Sequence, residues 1–226
     1  MLATDRTRRL FKEGGWIVVG QVLVVFGSLA GVRILTELLT PQSYGELALG
    51  MTIATLVNQT ILGPLGGGIT RFYAPALELG DLGGYLRAIK KLVMYVTALI
   101  ILLTVITCLV LIIFGMNRWI AISVSALIFA VLNGYSAILS SIQTAARQRA
   151  IVALHQGGDL LLRSLVVAVL ILCLGASSVL AIIGYAIAEL LILLSQLYFF
   201  QRILIIKSYK DDDIINSALR NNILPS

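Results

Sequence analysis

Three ionisable residues stand four apart in the stretch "ALHQGGDLLLRSLVV": His155, Asp159 and Arg163. On a helix this spacing sets them in one stripe, since each fourth residue drifts only about 40° around the axis. A guanidinium can grip a carboxylate or a phosphate through two parallel hydrogen bonds, and an imidazole can gain charge near neutral pH. Farther along, Glu189 stands alone in another apolar run, with Tyr185 and Gln196 on nearly the same face. An isolated carboxylate of this kind can exchange a proton, bind a coupling cation or pair with a cation such as Arg163. Arg33 and Glu37 make a further i, i+4 pair that keeps both charges while neutralising them.

What these groups can do depends on their surroundings. Hydrophobic residues make up 59% of the 226 positions and charged residues 12%. Mean hydropathy is +0.98. Soluble domains carry about twice that charge density, so the chain is expected to be an integral membrane protein. A bilayer core takes about 20 apolar residues to cross. Six segments qualify: 16–39, 47–70, 92–115, 119–142, 157–175 and 179–204, the fifth extendable back to Arg149 through "RAIVALHQGG". The first run is too long for a signal peptide, carries Arg33 and Glu37, and lacks a clear cleavage pattern, so it counts as a span.

The expected class is therefore an all-α, polytopic bundle of about six transmembrane helices. Residues 1–15 read as a basic amphipathic segment with Leu10 and Phe11 toward lipid, or as a plain topogenic charge cluster, and 205–226 as a polar tail. Every Lys and Arg except Arg118 and the in-span Arg33 and Arg163 falls on one side. That asymmetry puts both termini in the cytoplasm. It also accounts for the basic pI without nucleic acid, leaving membrane lipids as the natural partner of the surface cations. Connections on the other side, "TPQSYGE", "GMNR" and "GASS", read as tight turns, whereas "RFYAPALELGDLGGYLRAIKK" reads as a longer inner loop.

"LLTPQSYGELAL" followed by "LGPLGGGITRFYA", and later "SSIQTAARQRAIVALHQ", resemble the polysaccharide-biosynthesis flippases of the multidrug/oligosaccharidyl-lipid/polysaccharide exporter superfamily. In that family a leucine pair, proline, aromatic and glycine form the first outer turn. A glycine-rich bend then precedes an arginine and an aromatic, matched here by Gly63, Gly66, Gly67, Gly68, Arg71 and Phe72. The likeness runs along the whole chain, but the motifs are loose, and Glu37 stands where members often carry an arginine. The family folds as two such lobes, so the chain matches an amino-terminal lobe with 205–226 as the inter-lobe linker. It is then a fragment, a truncated product or a half that dimerises.

The resemblance implies a flippase or exporter that moves a lipid-linked oligosaccharide or polysaccharide precursor across the plasma membrane by alternating access. It further implies a cleft lined by His155, Asp159, Arg163, Arg33 and Arg71, with Glu189 and Glu37 as candidate ion-coupling carboxylates. Arg163 and His155 suit the diphosphate of such a substrate. The alternatives are a drug or metabolite exporter of the same superfamily, which calls for an aromatic, acidic cavity, and a half-length, non-transporting assembly subunit. The residues by themselves also allow Asp159 and Arg163 to neutralise each other, His155 to sit among headgroups and Arg163 to snorkel to the interface.

Thr52, Thr55 and Gln59 share one helical face, and Asn133, Ser136, Ser140 and Thr144 another, as interhelical hydrogen-bonding residues do. "GPLGGG" reads as a helix break or hinge. Cys108 and Cys173 lie within apolar runs and suggest neither a disulfide nor a metal site. With one histidine, no Walker glycine pattern and no serine elbow, no enzyme and no cofactor is expected, and an ion gradient or potential is left as the driving force.

Overall fold

A computed structural model describes residues 2–146 and 148–223, with side chains described over 14–146 and 148–201. Seven α-helices follow in chain order: α1 (Leu2–Leu38), α2 (Pro41–Val57), α3 (Gly63–Glu78), α4 (Leu82–Ile113), α5 (Arg118–Ala145), α6 (Arg149–Leu174) and α7 (Ser178–Ile223). A π-helical turn, Asn58–Leu62, joins α2 to α3. No strand occurs among the described residues. Taking Pro41–Glu78 as one rod, six helices are long and apolar enough to cross a membrane.

The turns differ from the sequence expectation for local reasons. The first is only Leu39 and Thr40, because Thr40 caps α2: its Oγ1 accepts the Ser43 N–H at 3.2 Å, and Pro41 takes the first helical turn, where a missing N–H costs nothing. "TPQSYGE" is therefore mostly helix. The expected long inner loop is likewise helical on both sides of Leu79–Asp81. Gly80 takes φ 72° after the end of α3, and the Asp81 carboxylate caps α4 by accepting the Gly84 N–H at 2.8 Å.

"GPLGGG" does not break the second rod. The Gly63 N–H bonds to Asn58 O, five residues back, so the π turn absorbs one extra residue just before Pro64 and the helix runs on to Glu78. Gly66 serves packing instead: a Cβ there would come 2.9 Å from Ser141 Oγ, so α3 lies close on α5.

Turns of two to four residues make neighbouring spans antiparallel. Helix α5 is central, packing against α2, α3, α4 and α7, whereas α1 packs chiefly along α6. The α1–α6 seam is built of small residues: a Cβ on Gly27 would lie 2.9 Å from Leu160 Cβ, and one on Gly157 2.6 Å from Leu23 Cβ. Outward faces of α1 and α4 carry exposed Val, Leu, Ile and Phe, as lipid-facing helices do. Helix α1 is continuous from Leu2 through the residues expected as a separate surface segment, and α7 continues through most of 205–226. The orientations expected of Leu10 and Phe11, and the place of Arg147 in the basic loop, lie outside the described residues.

Candidate functional site

The stripe on α6 faces the bundle. Arg163 donates from Nε to Asp159 Oδ1 at 2.7 Å, and its Nη2 lies 2.6 Å from Asp159 Oδ2, a two-point grip one helical turn apart. The same Nη2 pairs with a Glu189 oxygen on α7, and the guanidinium carbon lies 4.9 Å from the centroid of the Phe129 ring on α5. Glu189 is 1% exposed. Three helices thus converge on one guanidinium held by two carboxylates and an aromatic face. A buried charge survives when it is paired and hydrogen-bonded, and this one meets both conditions.

Arg163 sits 11 residues before the end of α6 and Glu189 11 residues after the start of α7. At 1.5 Å per residue both lie about 16 Å from the turn that joins these helices, near the middle of the bundle.

The cluster stands between two cavities. The first, about 390 Å³, lies on the side where α6 begins and is lined by Thr70, Asn133, Ser136, Ala137, Ser140, Ser141, Thr144, His155, Gln156, Asp159, Glu189, Ile192 and Gln196. Most of these are hydroxyls and amides. Ser136 Oγ and Gln196 Oε1 are buried at its edge with no protein partner among the described residues, although Gln196 Nε2 donates to Ser140 Oγ at 3.2 Å. The second cavity, about 280 Å³, lies toward the opposite end between α1, α2, α6 and α7. Arg163 reaches it beside Ser28, Ser164, Tyr44 and Tyr185, with glycines and aliphatic residues around them.

His155 lies at the mouth of the first cavity but is occupied on both nitrogens. Its Nδ1 is 2.8 Å from Ile151 O, so Nδ1 carries a hydrogen and donates, and Nε2 pairs with the Ser195 hydroxyl at 3.0 Å. Phe199 meets the ring edge to face at 5.7 Å.

Of the residues singled out in the sequence, His155, Asp159, Arg163 and Glu189 are brought together. Arg33, Glu37 and Arg71 are not. Arg33 and Glu37 pair at 3.1 Å on the outward face of α1, with 82% and 63% of their side chains exposed, and line neither cavity. The spacing that makes them an i, i+4 pair also turns both outward, away from α6. Arg71 is exposed on α3, whose inward face is taken by Ile69. Asn133, Ser136, Ser140 and Thr144 line the first cavity, so their shared face meets a hollow as well as neighbouring helices. Thr52 and Thr55 bond back to carbonyls of their own helix.

The electrostatics also differ from expectation. A basic cavity is the expectation, but the first cavity is lined by two carboxylates and no arginine, and Arg163, gripped by both acids, opens onto the second. With both acids ionised the cluster carries one surplus negative charge.

Sequence reasoning missed a second ion site, a buried acid paired with a largely exposed arginine. Glu46, 8% exposed, pairs with Arg118 and accepts the Ser178 hydroxyl at 2.7 Å, tying the starts of α2, α5 and α7 together. Its signal was present: Arg118 is the one cation assigned to that side, and Glu46 closes the "TPQSYGE" stretch read as a turn on the same side. No family model matches the sequence, and no curated protein or solved structure is significantly similar to it.

Proposed function

We propose that the chain forms one lobe of a plasma-membrane transporter that moves a lipid-linked glycan across the bilayer by alternating access, with both termini cytoplasmic. The observation that carries the reading is the first cavity, a hollow lined by hydroxyls and amides that runs from one end of the bundle to the mid-depth ion cluster. Sugars are bound by such groups, which donate and accept equally well. Ser136 and Gln196 line it, and each keeps one buried polar atom without a protein partner among the described residues. Diphosphate recognition passes from Arg163 to other groups in this reading, because that guanidinium is already paired. A completing half, from a second lobe or a second copy, closes the cavity's open side.

One observation favours a second reading. Surplus carboxylate at the cavity floor suits a cationic drug or metabolite, the other substrate class of the resembled superfamily.

Both are tested by filling the hollow. Ser140→Leu and Gln196→Leu, in cells that depend on the chain, are expected to remove most surface glycan while leaving its level in membranes unchanged. Normal surface glycan in both variants overturns the first reading. Raised sensitivity to cationic dyes in the same variants establishes the second.

A further inference from the structure

The α3–α4 hairpin holds a groove that serves neither cavity. It is about 470 Å³, opens outward between the two helices, and is lined by Ile61, Leu65, Gly68, Phe72, Ala88 and Leu92 among others. Phe72 and Leu92 are exposed at 60% and 47%. Its floor is sealed by Tyr85, whose hydroxyl donates to Ile69 O at 2.7 Å.

Cations flank its mouth. Arg71 immediately precedes Phe72 on α3 and Lys91 immediately precedes Leu92 on α4, and both are exposed. Lys91 Nζ lies 5.9 Å from the Tyr95 ring. Helical phase places Arg71 and Lys91 on the outward faces, one on each side of the opening.

Depth supplies the second argument. From Leu92 to the end of α4 at Ile113 the helix has no charged residue. That run rises about 33 Å, close to the thickness of a hydrocarbon core. Lys91 therefore stands at the headgroup level of one leaflet, with Arg71 facing it across the hairpin. Along α3 and the π turn the groove descends from Phe72 to Ile61 into the acyl region, while its α4 wall, Tyr85 to Leu92, stands at and above the level of Lys91.

We propose that this groove binds an anionic phospholipid of that leaflet, an acyl chain lying along Leu65, Gly68 and Leu92 and the phosphate held between Arg71 and Lys91. Each cation near an anionic surface contributes on the order of a fivefold change in affinity. The site is independent of what the cavities carry.

Native mass spectrometry of the full chain, released from nanodiscs of equal phosphatidylglycerol and phosphatidylcholine, tests it. The chain is expected to retain phosphatidylglycerol preferentially, the preference falling about fivefold in Arg71→Gln or Lys91→Gln and vanishing in the double variant. Gly68→Phe fills the groove and is expected to displace bound lipid of either class. A Cβ at Gly68 meets nothing within 4 Å, so the side chain enters the groove without a clash at its root. Equal retention of the two lipids by the parent chain, an undiminished preference in the double variant, or unchanged lipid retention in Gly68→Phe would each overturn the proposal.

Discussion

Arg163 pairs with Asp159 within α6 and with Glu189 across to α7, so removing it strands two carboxylates without their cation. Breaking one member out of a buried ion pair costs about 3–5 kcal/mol, whereas replacing every member by apolar groups of similar size is often neutral. Arg163→Ala is therefore expected to lower the thermal midpoint in detergent by many degrees. The combination Asp159→Leu, Arg163→Leu and Glu189→Leu is expected to regain most of that loss. Equal instability of the single and triple variants would show that the cluster is not an energetically closed unit. The two i, i+4 pairs were legible from spacing alone, because a helix surface brings such residues together whatever the rest of the chain does. The link of Arg163 to Glu189 was one of three uses the sequence allowed for that carboxylate, whereas the Glu46, Arg118 and Ser178 site depends on helix pairing, which spacing within one segment does not contain.

At the scale of the element, α6 carries the cluster on one face and the close seam with α1 on another. Gly157 lies between His155 and Asp159 in sequence and abuts Leu23, so the seam fixes the rotation of the helix that presents the stripe. Gly157→Leu is expected to cost about 1–3 kcal/mol through overpacking. Gly158→Ala, where a Cβ meets nothing within 4 Å, is expected to be neutral or slightly stabilising. Thermal unfolding of the two variants in the same detergent checks this, and equal midpoints would mean that the seam yields without resistance. The six spans were legible in the sequence because hydropathy reads them directly. Their ends were not, for charged or glycine-rich residues at 71–91 and 149–156 lower the hydropathy of segments that remain helical. The expected break at "GPLGGG" failed for a related reason: one π turn accommodates Pro64, and Gly66 marks a close helix crossing.

Across the whole molecule the two ends differ. Glu46, Arg118 and Ser178 tie three helix starts together at one end, while the polar hollow runs from the other end to the mid-depth cluster. Such an asymmetry suits a lobe that holds one end shut while solvent enters from the other. Glu46→Gln removes the carboxylate charge from the tie and is expected to raise the reactivity of cysteines placed near Tyr44 and Leu47, measured by maleimide labelling rate. An unchanged rate would assign the tie to folding alone.

The most direct measurement asks whether water reaches the cluster. In a Cys108→Ala, Cys173→Ala background, Ala137→Cys places a thiol on the wall of the first cavity, eight residues before the end of α5, about 12 Å inside the bundle. Val169→Cys puts a control thiol on a lipid-facing position, exposed at 59%. Treatment of sided membrane vesicles with a small, charged, membrane-impermeant thiosulfonate is predicted to modify the thiol at 137 from the face where α6 begins, and to leave the thiol at 169 untouched. A thiol at 137 that reacts from neither face, yet reacts fully after denaturation, would mean a dry interior and contradict a water-filled route past Asp159 and Glu189.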